Sequence, residues 1–241
     1  MSWNNELRPV PVSSGAQPRS TPLVRDAGGE AANKVLRNTY LLLSMTLLFS
    51  ALMAGVSMAV GVGYGISLLC SLVSLGLLWF VVPRTANSSA GIWVVFAVTG
   101  LLGFGLGPII NRYLGMANGA QNVMLALGMT GAIFVGLSAY AVKTKRDFSF
   151  MRAFLFSGMI LLLVASLVML GASLFGFYLQ PLHLALSALF ALFACGIILY
   201  QTGEIVNGGE TNYILATTTL YVSIYNLFTS LLHILGVAND D

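Results

Sequence analysis

The sequence predicts an all-α membrane protein, a bundle of seven transmembrane helices, and three observations predict it. Of 241 residues, 57% are hydrophobic and only 8% are charged, where a soluble domain carries roughly 25% charged residues. The mean hydropathy is +0.87, and the 26 glycines suit membrane helices, in which glycine is commoner than in soluble ones. Seven stretches meet or approach the roughly 20 apolar residues that a helix needs to cross a hydrocarbon core.

Residues 1–35 are rich in Pro, Ser, Gly and Asn and show neither helical nor strand periodicity. Such a segment buries too little apolar surface to offset chain entropy, which predicts a disordered tail. The apolar segments then follow at 38–61, 65–82, 90–110, 120–142, 151–174, 181–201 and 213–236. Their separators carry turn chemistry: Gly61 to Gly65, "PRTANSS", "NRYLGMANG", "KTKRDFS", "FGFYLQP" and "YQTGEIVNGGETNY". No separate soluble domain is indicated, so residues 36–237 form one seven-helix domain. The first apolar run is too long for the core of a cleavable signal peptide and acts as an anchor.

Lys and Arg in the short connections give the orientation. The tail holds Arg8, Arg19, Arg25, Lys34 and Arg37, the second connection Arg84, and the fourth Lys143, Lys145, Arg146 and Arg152. Only Arg112 lies on the opposite side. This bias places the tail in the cytoplasm and, with seven spans, the C-terminus outside. The sixth connection has no positive charge; a re-entrant seventh segment would put both ends in the cytoplasm.

Small residues let membrane helices approach. "GLLGFGLG" in the third segment, Gly128, Gly131 and Gly136 in the fourth, and Ala185, Ala188 and Ala191 in the sixth are therefore expected at packed faces. Cys70 and Cys195 lie inside apolar runs and suit small core residues.

Polar residues inside the spans point to function. Thr219, Ser223, Asn226, Ser230 and His233 fall on one face of the seventh helix. His183, Ser187 and Gln201 fall on a line in the sixth, around a small-residue middle. The two faces could meet in a polar interior at the cytoplasmic end. Between them stand Glu204 and Glu210, with no Lys or Arg nearby. Glu210 precedes a helix whose N-cap is Thr211 or Asn212, where the dipole favours an anion. Glu204 is at or just past a helix C-terminus, where the dipole disfavours one. Two isolated histidines without a third ligand make no metal site. No catalytic or nucleotide-binding fingerprint occurs, so no enzymatic activity and no cofactor are expected, and the small net charge of +3 indicates no nucleic-acid partner.

"KVLRNTYLLLSMTLLFSA", "GPIINRYL", "TKRDFSFM" and "NGGETNYILATTTLYVSIYNLFTSLLHILG" together resemble the Bax inhibitor-1 family, and within it the bacterial YccA-type members. The resemblance covers about residues 34 to 237. It implies a seven-helix bundle of the Bax inhibitor-1 type in the bacterial inner membrane. It also implies two kinds of function. Some members are pH-sensitive calcium leak channels gated by a pair of aspartates; the matching positions here are Gln201 and Ser223, which cannot titrate. An arginine of the second helix of those channels has no counterpart here. Two carboxylates sharing a proton sense pH, and a Gln–Ser pair does not.

YccA-type members are associated instead with the membrane-anchored AAA+ protease FtsH, as a substrate that also modulates it. A loose cytoplasmic tail suits engagement by an unfoldase. The leading expectation is thus an FtsH-type protease modulator embedded in the lipid bilayer. The alternative is a calcium or proton leak channel whose polar path runs along Gln201, Glu204, Thr219, Ser223 and Asn226, with Glu204 and Glu210 as substitute acids. The segment 200–213 either relocates an acidic site or is a packed, capped helix connection.

Overall fold

The structure is a computed structural model that describes residues 22–116, 118–176 and 180–238. It consists of seven long helices: α1 (Pro22–Val60), α2 (Tyr64–Thr85), α3 (Ala90–Leu114), α4 (Gly119–Thr144), α5 (Met151–Leu174), α6 (Gln180–Val206) and α7 (Tyr213–Ala238). No strand occurs among the described residues. All seven are long and apolar enough to span a membrane. The chain is a multi-pass membrane protein.

The helix ends follow local chemistry. Gly61, at φ +71°, and Gly208, at φ +77°, adopt the left-handed conformation that reverses the chain after α1 and α6. In α2 the stretch Leu77–Val81 is a π-turn just before Pro83, which accommodates a residue that lacks an N–H.

The first helix departs from expectation. Residues 22–35, read as part of a disordered tail, are helical from Pro22 onward. A helix already nucleated in the membrane extends without paying a second nucleation cost, Pro22 suits a first helical position, and Glu30 and Lys34 stand one turn apart in favourable order. The rest of that tail lies outside the described residues.

α7 is the centre of the bundle and packs against α1, α3, α4 and α6. Among the described residues α5 packs chiefly on α6, and α2 packs on α3. In the apolar windows of α3 and α7, 56% of residues are buried, against 11% for α5. At 26 unbroken residues, α7 is about 39 Å long. It is a full span rather than a re-entrant segment.

Glycines set the closest approach. A Cβ at Gly103 would overlap the Ser50 backbone, one at Gly107 the Ser57 side chain, and one at Gly100 the Phe49 ring. Gly100, Gly103 and Gly107 of "GLLGFGLG" are therefore the face on which α1 lies against α3, while Gly105 faces α2, where its carbonyl accepts from the Ser67 hydroxyl. By contrast, a Cβ at Gly128, Gly131 or Gly136 would meet nothing within 4 Å, and Ala185 and Ala188 are exposed. The packed-face expectation fails for these, because spacing alone does not say which face another helix covers.

Candidate functional site

The segment 200–213 is a capped connection that fastens three loops together. Asn207 N–H donates to the Gly203 carbonyl (3.0 Å), and the Gly209 and Glu210 amides both donate to the Glu204 carbonyl (2.8 and 3.1 Å). Glu204 sits in the last turn of α6, half-buried. Its carboxylate lies close enough to Gly209 that a Cβ there would be 2.7 Å from Oε2. Glu210 Oε1 accepts the Asn212 amide (2.8 Å). Asn212 is the N-cap of α7: its Oδ1 accepts from Ile214 N–H (2.9 Å) and Leu215 N–H (3.3 Å). Of the two N-cap candidates, Asn212 holds the position.

The same asparagine reaches across the bundle. Its Nδ2 donates to the Ala86 carbonyl (3.0 Å) and to Asn87 Oδ1 (2.8 Å) in the α2–α3 connection. Asn207 Nδ2 donates to the Arg146 carbonyl (3.0 Å) in the α4–α5 connection. In that connection Phe148 is buried against Gly203, where a Cβ would come within 2.6 Å of the ring. Asp147 Oδ1 accepts the Ser149 amide (2.8 Å), and the Ser149 amide and hydroxyl hold its exposed carboxyl below the usual carboxylate range. Three connections distant in sequence are thus stapled at one end of the bundle. That end carries Arg84, Lys143, Lys145, Arg146 and Arg152, while Arg112 lies at the other.

The predicted polar interior divides into separate features. Gln201 on α6 and Ser223 on α7 are both buried. Thr219 and Asn226 are half-buried, and Ser223 Oγ donates back to the Thr219 carbonyl (2.8 Å). Beside this line stands a more deeply buried one that spacing missed: Thr217, Thr218 and Tyr221 on α7, with Thr39 on α1 and Thr202 on α6. The Thr39 and Thr202 hydroxyls are buried without a hydrogen-bond partner. The Thr217 hydroxyl lies 2.7 Å from the Tyr213 carbonyl and 3.2 Å from that of Thr39. Glu204 and Glu210 belong to the surface connection. Asn226, thirteen residues into α7, is about 20 Å along the helix from it.

Tyr221 is the hub of the buried set. Its hydroxyl donates to the Thr99 carbonyl on α3 (3.1 Å) and accepts from Ser50 on α1 (2.6 Å). One side chain of α7 thus holds α1 and α3. The signal for it was a tyrosine one turn after a run of three threonines. At the opposite end, Ser187 Oγ and His233 Nδ1, 2.7 Å apart, join α6 to α7, so the two predicted polar lines meet there.

Comparison with known proteins assigns the family. A family model described as "Inhibitor of apoptosis-promoting Bax1" matches residues 32–240. The chain belongs to the Bax inhibitor-1 family. Within that family it is 46% identical to the protein named modulator of FtsH protease YccA of Escherichia coli K12, over 88% of this chain and 93% of that one. It is 49% identical to a membrane protein of Vibrio cholerae serotype O1, over 87% of this chain and 92% of the other. The mouse protein lifeguard 4 is 32% identical over 70% of this chain and 67% of its own length. In this Bax inhibitor-1 chain the motifs that carried the resemblance are structural: "GPIINRYL" closes the α1–α3 face, "TKRDFSFM" supplies Phe148, and "NGGETNY" supplies the staple.

Proposed function

We propose that this protein modulates a membrane-anchored AAA+ protease of the FtsH type in the bacterial inner membrane, as a binding partner and substrate rather than as an enzyme. One observation carries the reading: 46% identity, over nearly the full length of both chains, to the protein named modulator of FtsH protease YccA. A close relative of the same identity is named inner membrane protein YccA. The positive-inside bias puts the tail and the stapled end in the cytoplasm, on the side where such a protease pulls on its substrates. A stapled bundle resists unfolding from its loops, which leaves the N-terminal segment as the handle.

Deleting residues 1–21 tests this. In cells with an active FtsH-type protease, the truncated protein is expected to persist several-fold longer than the full chain in a chase after blocking synthesis. An unchanged half-life would remove the handle from the proposal.

The cation-leak alternative has less support, because neither buried position matched to the gating pair is acidic. Liposome flux across pH 5 to 8 separates the two readings. No calcium or proton flux is expected from the natural chain, and Gln201→Asp with Ser223→Asp is the variant in which an acidic pair would restore it. Flux in the natural chain, lost in Glu204→Gln or Glu210→Gln, would move the assignment to the channel.

A further inference from the structure

α1 and α4 both rest on α7 but scarcely meet each other, and Tyr40 and Phe134 pack edge to face between them at 6.0 Å. The gap holds a crevice in two adjoining parts that share Leu47 and Phe134 in their lining. One part, about 520 Å³, is lined by Ala54 of α1, Gly131 of α4, Tyr221 and Phe228 of α7 and Leu106 and Ile110 of α3. The other, about 650 Å³, continues past Tyr40 and Ser138 to Lys143.

We propose that this crevice is a phospholipid site, in which one acyl chain lies along α1 and α4 against α7 and an anionic headgroup sits at Lys143. The first part follows α1 from Leu47 to Met58, roughly 17 Å at 1.5 Å per residue, and its lining is apolar but for Ser50, Thr130, Tyr221 and Tyr225. An extended hydrocarbon chain suits a slot of that length and chemistry.

Charge selects the end. Lys143 lines the second part, Arg37 stands one turn before Tyr40 on α1, and Lys145 and Arg146 follow Lys143. Neither part has an acidic lining residue. Lipid tails are as apolar as the crevice, so apolarity alone retains nothing there; the headgroup contacts do.

Polar groups in the wall point the same way. The hydroxyls of Tyr40 and Ser138 are buried with no hydrogen-bond partner, and Ser138 is 6% exposed. Hydrocarbon offers such groups nothing. Ser138 and Lys143 both line the second part.

The test uses the full chain in mild detergent, with phosphatidylglycerol and phosphatidylcholine as probes and native mass spectrometry as readout. Gly131→Trp fills the crevice, while Gly128→Trp sits on the same helix but outside the lining, and neither glycine has a neighbour within 4 Å of a Cβ. One phosphatidylglycerol per chain is expected to survive detergent exchange in the natural protein and in Gly128→Trp. At least a tenfold loss of occupancy is expected in Gly131→Trp. Lys143→Gln is expected to erase the preference for phosphatidylglycerol over phosphatidylcholine. Equal retention in Gly131→Trp, or no retained lipid in the natural chain, overturns the proposal. So does loss of protease co-purification in Gly131→Trp with lipid unchanged, which would make the occupant a partner helix. Should Gly131→Trp fail to fold, phosphatidylglycerol with a photoactivatable acyl chain decides on the natural chain. Labelling within residues 47–58 or 123–134 is expected, and labelling confined elsewhere overturns the site.

Discussion

Replacing Gly103 by leucine is expected to take α1 off α3 and cost at least about 3 kcal/mol, at the upper end of what overpacking a core costs. The reason is the identity of the neighbour. A Cβ at Gly103 runs into the Ser50 carbonyl and Cα as well as its hydroxyl, and backbone atoms cannot turn away as a flexible side chain can. The helices must separate, and three further contacts go with them: Phe49 over Gly100, Ser57 over Gly107, and the Ser50–Tyr221 hydrogen bond. Gly128→Leu is the matched control. With nothing within 4 Å it is expected to change stability by less than about 0.5 kcal/mol. Thermal melting in detergent, followed by size-exclusion, reads both variants together. Equal melting would mean that the α1–α3 contact does not set the stability of the bundle.

The second large effect is expected at Asn212. Alanine there removes the N-cap, worth about 1 kcal/mol, and two hydrogen bonds to the α2–α3 connection, worth about 1 kcal/mol each. A total loss of about 2–4 kcal/mol follows, since the Ala86 carbonyl and Asn87 are left without their donor. Asn212→Asp separates the parts. A carboxylate keeps the cap and suits the helix dipole, but it cannot donate to Ala86, so the variant should recover only about 1 kcal/mol of the loss. Hydrogen exchange locates the effect. Amides of residues 85–89 and 207–212 are expected to gain exchange together in Asn212→Ala. Faster exchange in 207–212 alone would show that the staple is only a cap.

The spans were legible because an apolar run of the right length leaves the chain little choice in a bilayer. The fifth, read as 151–174, coincides with α5 (Met151–Leu174), and the seventh begins at Tyr213 as expected. Helix ends were less legible where polar residues continue a helix. α6 runs on through Gln201, Thr202 and Glu204 to Val206, because Gly203 seats Phe148 and the Glu204 carbonyl is capped by the returning chain. Likewise α1 begins upstream of its apolar run. Of the candidate site, the burial of Gln201 and Ser223 was anticipated by helical spacing. The partners of Asn212 and Asn207 were not, since they lie 125, 126 and 61 residues away along the chain.

The sequence by itself determined that seven helices cross a membrane, where they turn, and which end gathers the positive charge. Each of these depends on local composition against the thickness and potential of a bilayer. Only the tertiary structure decided which helix is central. The most apolar span, α5 with hydropathy 2.6, is among the most exposed, and the least apolar, α7 with 1.5, is among the most buried. Lipid tails are as apolar as leucine, so apolarity does not drive one helix against another; close approach and hydrogen bonds do. Those depend on pairs such as Gly103 with Ser50 and Tyr221 with Thr99, which exist only once the helices are side by side.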